Sequence, residues 1–149
     1  MTKEGFFEFD VEEAALEILE SLGYEIQFGP DLIDATYERT SQEEVLLSER
    51  LKSILGKLNP QVSSEVINQA YREIAIPKQV ALIDNNQAFH KMLTDGIDVG
   101  YHNKDGQMRY QKVRVIDFEH PENNDFMAVN QYTVVENRVN KRPDIVVLI

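Results

Sequence analysis

The sequence predicts an α/β fold of the α+β kind: helices from the front of the chain pack on a mixed sheet formed mainly by residues 97–149. Three observations predict it. Apolar residues recur with the 3.6-residue period of a helix up to Gly96 and with the two-residue period of a strand after it. Asn103-Lys104-Asp105-Gly106 is a hairpin turn signal between two such alternating runs. The run Ile145–Ile149 is continuously apolar, as a strand covered on both faces would be.

Taken in order, Val11, Ala14, Ala15, Ile18, Leu19 and Leu22 form one apolar stripe at helical spacing, with Asp10 as N-cap and Gly23 as the left-handed residue after the end. Tyr24–Phe28 is a short strand and Gly29-Pro30 a turn. A second helix is predicted to start at the capping box Ser41-Gln42-Glu43-Glu44, continue through Leu47, Leu51, Ile54 and Leu58, and stop at Asn59-Pro60. A third runs from about Ser64 towards Pro77, and a fourth through Leu82, Phe89 and Leu93 to Gly96. Ile97, Val99 and Tyr101 open the first strand of the hairpin, whose return runs from Met108 to about Phe118. Glu119–Asn124 is a polar loop, Phe126–Val135 one long strand, Glu136–Asn140 a turn, and Ile145–Ile149 the last strand. No repeat, low-complexity stretch or linker divides the chain, so one domain is expected.

The 149 residues are 42% apolar and 28% charged, ordinary for a soluble globular protein. With no cysteine, disulfides and thiolate metal sites are excluded. Apolar runs are shorter than a membrane span, and the N-terminus lacks the apolar core of a signal peptide, so no membrane partner and a cytoplasmic location are expected. The net charge of -11 is polarised: residues 1–50 hold 14 acids against Lys3, Arg39 and Arg50, whereas residues 51–149 hold 12 acids and 12 basic residues. An acidic face and a neutral or basic one therefore coexist.

No phosphate-binding glycine loop, HExxH pair or glycine-flanked serine is present. His90, His102 and His120 are isolated and lack metal-ligand spacing. Arg142-Pro143-Asp144 stands directly before the apolar run. A carboxylate at the entry to a buried strand is costly unless it is hydrogen-bonded or bound to a cation, and it is placed to hold Mg²⁺ through one oxygen. An ordinary turn aspartate is the simpler reading of the dipeptide taken alone.

Several stretches then occur in a specific order: Ile-Leu-Glu-Ser-Leu-Gly-Tyr (18–24), Glu-Val-Leu-Leu-Ser-Glu-Arg-Leu (44–51) continuing to Leu-Asn-Pro (58–60), and Asn-Asn-Gln-Ala-Phe-His-Lys-Met-Leu-Thr-Asp-Gly-Ile (85–97). Ile-Asp-Phe (116–118), Asn-Asn-Asp-Phe-Met-Ala-Val-Asn-Gln-Tyr (123–132) and Arg-Pro-Asp-Ile-Val (142–146) complete the set. Together they resemble the N-terminal nuclease domain of the R subunit of type I restriction–modification enzymes, a PD-(D/E)xK nuclease with the restriction-endonuclease-like fold. The resemblance implies that Asp144 is catalytic and binds Mg²⁺, with Glu12 on the first helix as an additional metal ligand and Glu13 close behind. It implies duplex DNA as substrate, modification and specificity subunits as partners, and ATP used only by motor domains that this sequence does not hold. Lys141 and Arg142 are candidates for DNA phosphates. Arg109, Lys112 and Arg114 are better read as a solvated strand face.

The sequence departs from the family pattern: the glutamine-tyrosine motif that members carry on a following helix is absent, and so is the rest of the nuclease motif. That motif continues into a second strand bearing Glu-x-Lys, which does not occur between Asp144 and Ile149, so the sheet is expected to be incomplete at its C-terminal side and the 149 residues alone to be inactive. A chain stopping inside Ile-Val-Val-Leu-Ile reads as an excised piece, and its unpaired terminal strand is expected either to self-associate with a second copy or to leave the fold marginally stable. Two other readings are a docking module, in which the acidic helices of residues 1–50 bind partner subunits without chemistry, and a DNA mimic, which the neutral back portion argues against.

Overall fold

The computed structural model describes residues 8–149. In chain order its elements are α1 (Glu8–Ser21), β1 (Glu25–Phe28), α2 (Asp31–Asp34), α3 (Ser48–Leu58), α4 (Ser64–Ala75), α5 (Leu82–Asp95), β2 (Ile97–His102) and β3 (Met108–Val113). A 3-10 turn (Pro121–Asn123) follows, then β4 (Met127–Asn130), β5 (Val134–Glu136), β6 (Val139–Lys141) and β7 (Ile145–Leu148). These elements make an α+β fold, as the change of period near Gly96 predicts, but the strands form one three-stranded and two two-stranded sheets and not the single mixed sheet expected from residues 97–149. They gather into two compact units, one from residues up to 47 together with 125–149, the other from residues 48–124. Among the described residues no helix is long and apolar enough to cross a membrane.

The first unit is built on a mixed three-stranded sheet, ordered β1-β4-β7. β1 pairs parallel with β4, from Glu25↔Met127 to Phe28↔Asn130, and β7 pairs antiparallel with β4, from Met127↔Leu148 to Asn130↔Ile145. The central strand is buried at three successive residues, Met127, Ala128 and Val129, which requires cover on both faces. Met127 and Val129 meet Leu32, Leu47 and Tyr132 in the core, with Val146 and Leu148 packed against them.

Helix α1 contacts β1 and β4, but not through the face expected. Its half-buried residues include Glu12, Ala15, Leu16 and Leu19, a set at i, i+3, i+4 and i+7, while Val11, Ala14, Ile18 and Leu22 are exposed. The helix is thus turned by about one residue step from the predicted stripe. Leu16 widens the apolar arc, and the sheet takes the side that includes Glu12.

Several predicted boundaries are corrected: α1 already includes Glu8, so Asp10 lies within it and is not its N-cap, and the predicted turn Glu136–Asn140 shrinks to Asn137-Arg138 between β5 and β6. The box Ser41–Glu44 does not begin a helix, and α3 starts at Ser48. The carbonyls of Gln42 and Glu44, which a helix would need for its own ladder, accept hydrogen bonds from the Arg39 guanidinium instead. The single strand predicted over Phe126–Val135 is interrupted after Asn130, where Gln131 adopts a left-handed φ of 55°, and resumes as β5. The return strand of the hairpin ends at Val113 and not near Phe118. There the Asn59 side chain bonds both peptide groups of the next residue, accepting from Arg114 N at 2.7 Å and donating to Arg114 O at 2.8 Å, so Arg114 has no peptide group left for a ladder.

In the second unit α3 and α4 pack together, and α4 covers the β2–β3 hairpin. Leu55, Val66, Ile67 and Ala70 from the helices meet Ile97, Val99 and Val113 from the strands. Ser63 caps α4, its Oγ accepting from Val66 N. Asn103 closes the hairpin as expected, its Oδ1 accepting from the backbone N–H of Asp105 and of Gln107.

Asp117 follows β3 in this unit and is buried. Its buried carboxylate accepts from Asn123 Nδ2 and from the backbone N–H of Glu119 and His120, and it faces Arg114 at 3.3 Å. The Asn123 hydrogen bond, then the His120 N–H, with Arg114 adding to them, hold its pKa below the ordinary 3.8 against the opposing effect of burial. A carboxyl whose pKa is lower folded than unfolded contributes stability that is complete above the unfolded value and is lost as pH falls through the folded one. Acid unfolding of this unit is therefore expected to carry a proton-uptake step below pH 3.8. An Asp117→Asn chain, followed by circular dichroism from pH 6 to pH 2, should lose stability at neutral pH and show a flatter acid limb; an unchanged limb would overturn the assignment.

Candidate active site

The candidate residues Glu12 and Asp144 both belong to the first unit, and Gln131 joins them. Gln131 directly follows β4. Its backbone N–H donates to the Asp144 carbonyl at 2.9 Å, which extends the β4–β7 ladder one step beyond Asn130↔Ile145. Its side-chain Nε2 donates to both oxygens of Glu12, at 3.2 and 3.1 Å. Glu12 on α1 and Asp144 at the entry to β7 are thus each one hydrogen bond from the same residue. Glu13 is on the exposed side of α1, so of the two neighbouring acids the structure brings Glu12 to this point.

Two residues fix Gln131. Gly29, at the end of β1, lies so close that a Cβ there would stand 2.4 Å from the Gln131 carbonyl oxygen, and only glycine allows that approach. Arg39 holds the residues that follow. It is 2% exposed, and its Nε, Nη1 and Nη2 donate to the carbonyls of Glu44, Thr133 and Gln42, each at 2.7 Å, while its guanidinium lies 4.1 Å from the centre of the Tyr132 ring. Burial raises the Tyr132 pKa above 10, with Arg39 opposing the shift and Glu44 adding to it, so the phenol is neutral at physiological pH. Sequence reasoning missed both Arg39 and Gln131. Arg39 stands in a strongly acidic stretch where a solvated cation is the natural reading, and Gln131 lies inside what looks like a continuous strand.

Asp144 is exposed, unlike the costly buried carboxylate that its position before an apolar run suggests, and β7 itself is half-buried. Its carboxylate therefore pays no burial penalty and is open to a ligand. Lys141 and Arg142 are exposed and immediately precede Pro143 and Asp144. Of the cations in the second unit, the three strand-face candidates are engaged locally: Lys112 pairs with Asp98 at 3.2 Å and Arg114 with Asp117, while Arg109 donates to Gln107. That fits the solvated strand face. Among the described residues no group of three or more His, Asp or Glu is placed to hold a metal ion. Mg²⁺ is commonly held by one or two carboxylates, with water and substrate phosphate completing its shell, so Glu12 and Asp144 fit part of such a site.

The sequence pattern of the type I restriction enzyme R protein N terminus matches residues 5–149. The chain belongs to that family. It is 35% identical, over 142 residues, to the type I restriction enzyme HindI endonuclease subunit of Haemophilus influenzae, covering 93% of this chain and 13% of that protein. It is also 31% identical, over 151 aligned positions, to the putative type I restriction enzyme MjaIXP endonuclease subunit of Methanocaldococcus jannaschii, covering 95% of this chain and 14% of the relative. The chain thus corresponds to the N-terminal region of a restriction enzyme R subunit and spans about one seventh of the curated relatives it matches. Within it, the stretches that carry the resemblance place Asn59 and Asp117 at buried backbone clamps and Gln131 and Asp144 at the candidate site.

Proposed function

We propose that this chain contributes the carboxylate side of the Mg²⁺-dependent nuclease site of a type I restriction R subunit, which cleaves duplex DNA. The meeting of Glu12 and Asp144 at Gln131 carries this reading. Glu12 and Asp144 hold the cation, and Gln131 fixes the Glu12 carboxylate by donating to both its oxygens. Bound there, Mg²⁺ would activate water and stabilise the charge that develops on the phosphate. Lys141 and Arg142, beside Asp144, draw the DNA backbone towards it. The family resemblance supplies the rest: ATP consumed by motor domains elsewhere in the subunit, modification and specificity subunits as partners, and a cytoplasmic setting. β7 forms one edge of its sheet, with Val147 and Ile149 exposed, and this edge accepts a further strand from the subunit or from a second copy.

Mn²⁺ added to the isotope-labelled chain tests the metal site, since a paramagnetic ion broadens the resonances around it. Broadening centred on Glu12, Gln131 and Asp144 and decaying with distance from them, and lost in Asp144→Asn, is the expected result. Broadening spread evenly over the acids of α1, or unchanged by the substitution, would overturn it.

A second reading is favoured by the outer side of α1. Val11, Ile18 and Leu22 are exposed there beside Asp10, Glu13, Glu17 and Glu20. An apolar strip edged with acids suits docking on a basic-rimmed surface of a partner subunit, and such docking is compatible with the nuclease reading.

A further inference from the structure

Between Gln131 and Asp144 the chain makes an excursion that the nuclease reading leaves unused. β5 and β6 form an isolated antiparallel ribbon, with Val134↔Lys141, Val135↔Asn140 and Glu136↔Val139 in register. Asn137 and Arg138 form its turn with φ values of 49° and 64°. Two successive left-handed residues give the tight turn that suits a twisted ribbon, and its second position ordinarily favours glycine. Here an arginine occupies that position, although a side chain makes the conformation costly. Both ends of the ribbon are site residues, since the Gln131 N–H is bonded to the Asp144 carbonyl. Its base is held firmly: the Val135 N–H donates to Gln42 O at 3.0 Å, and Arg39 Nη1 donates to Thr133 O.

The ribbon is also where cations are left open. Arg138 at the turn, Lys141 on β6 and Arg142 after it are exposed, and their side chains make no hydrogen bond or ion pair with the described residues. Three cations within five residues of a chain with net charge -11 make a local electrostatic minimum for an anion. Glu136, which shares a face with Val139, opposes them. Asn137 is six positions beyond Gln131, so at about 3.3 Å per strand residue the turn reaches at most roughly 20 Å from the site. The major groove of B-DNA, about 12 Å wide, admits a two-stranded ribbon.

We infer that the β5–β6 ribbon is a duplex-binding arm, which enters the major groove beside the phosphate presented to Asp144. Arg138 makes the far contact at the tip, and Lys141 and Arg142 grip the phosphates between tip and site. This rests on the nuclease reading for its substrate, but the arm binds DNA without metal, which separates the two. The measurement is the fluorescence anisotropy of a labelled duplex of thirty base pairs, titrated with the 149-residue chain in EDTA at a series of salt concentrations. Each phosphate neutralised contributes about 0.9 to the slope of log K against log salt. The Arg138→Gln/Lys141→Gln/Arg142→Gln chain is expected to lose between two and three units of that slope, roughly, and to bind at least tenfold more weakly at low salt. Glu136→Gln should bind more tightly, and Asp144→Asn no more weakly than wild type. Because all three cations are exposed, the triple variant should retain the wild-type circular dichroism spectrum and Tm. A wild-type chain that does not bind duplex at low salt, or a folded triple variant with an unchanged slope, overturns the arm. Normal arm behaviour together with a failed Mn²⁺ experiment would remove the nuclease reading and leave the arm standing.

Discussion

Replacing Arg39 by Met is expected to destabilise the first unit by about 3–5 kcal/mol. A buried carbonyl that loses its donor costs about 1–3 kcal/mol, and this substitution releases three, those of Gln42, Glu44 and Thr133. The stacking of the guanidinium on Tyr132 is lost as well. Removing a buried cation returns part of its desolvation penalty, which keeps the sum below the largest value those figures allow. For a chain of this size Tm should fall by roughly 10 °C, at about 2–4 °C per kcal/mol. Arg39→Lys should recover little, because a point charge cannot reach three carbonyls that lie around a planar fork. Calorimetry gives the overall change, and amide exchange at Val129 in the central strand locates it. A loss under about 1 kcal/mol in the Met variant would mean that water takes over the three carbonyls and that Arg39 is not the tie between the 35–47 loop and the site.

What the sequence made legible follows from the range of the interactions involved. α4 and α5, the opening strand β2 of the hairpin and its Asn103–Gly106 turn are local in origin, set by period, cap and turn chemistry, and they lie where those signals place them. The elements misplaced were those decided by distant residues. Ser41–Glu44 has the composition of a helix start, but its carbonyls go to Arg39, whose third bond is to Thr133, ninety-four residues away. The strand over 126–135 has unbroken β-propensity, but Gly29 crowds Gln131 and turns the chain. The face of α1 was misjudged because its apolar arc is wide, and only the sheet decides which part of it is covered.

The site was legible in a similarly uneven way. The place of Asp144 before the last strand is compatible with an ordinary turn, and the family resemblance singles out both Asp144 and Glu12; the structure brings both to Gln131. Gln131 carried no signal of its own. A glutamine within a strand pattern has no distinctive spacing, and its importance comes from a left-handed backbone and a bond to a residue 119 positions earlier. Asn59 and Asp117 lie in stretches that carry the resemblance, and their buried hydrogen bonds to backbone show a structural use for both.

The 149-residue chain, incubated with supercoiled plasmid and Mg²⁺ or Mn²⁺, is expected not to nick it. Among the described residues the candidate site offers two carboxylates, and one of them, Glu12, already receives both hydrogen bonds of the Gln131 amide. Mg²⁺ gives up its water shell reluctantly, so two carboxylates, one exposed and one engaged, bind it weakly. No Glu-x-Lys follows Asp144 within this sequence, so the lysine that would help stabilise developing charge is not supplied by these residues, a contribution typically worth a few kcal/mol. Cleavage is expected once residues 1–149 replace the matching segment of the Haemophilus influenzae endonuclease subunit, assembled with that enzyme's own subunits and ATP. In this chimaera Asp144→Ala should lower the nicking rate by on the order of 10³-fold or more, since on the proposed reading it removes a metal ligand and with it the activated water. Glu12→Gln should have a smaller effect that added Mn²⁺ partly reverses. The ATPase rate should be unchanged in both, which distinguishes loss of the nuclease site from loss of assembly. Nicking by the chain alone that Asp144→Ala abolishes would show that these 149 residues already hold a complete site. A chimaera that cuts equally well with and without Asp144 would take this aspartate out of the chemistry altogether.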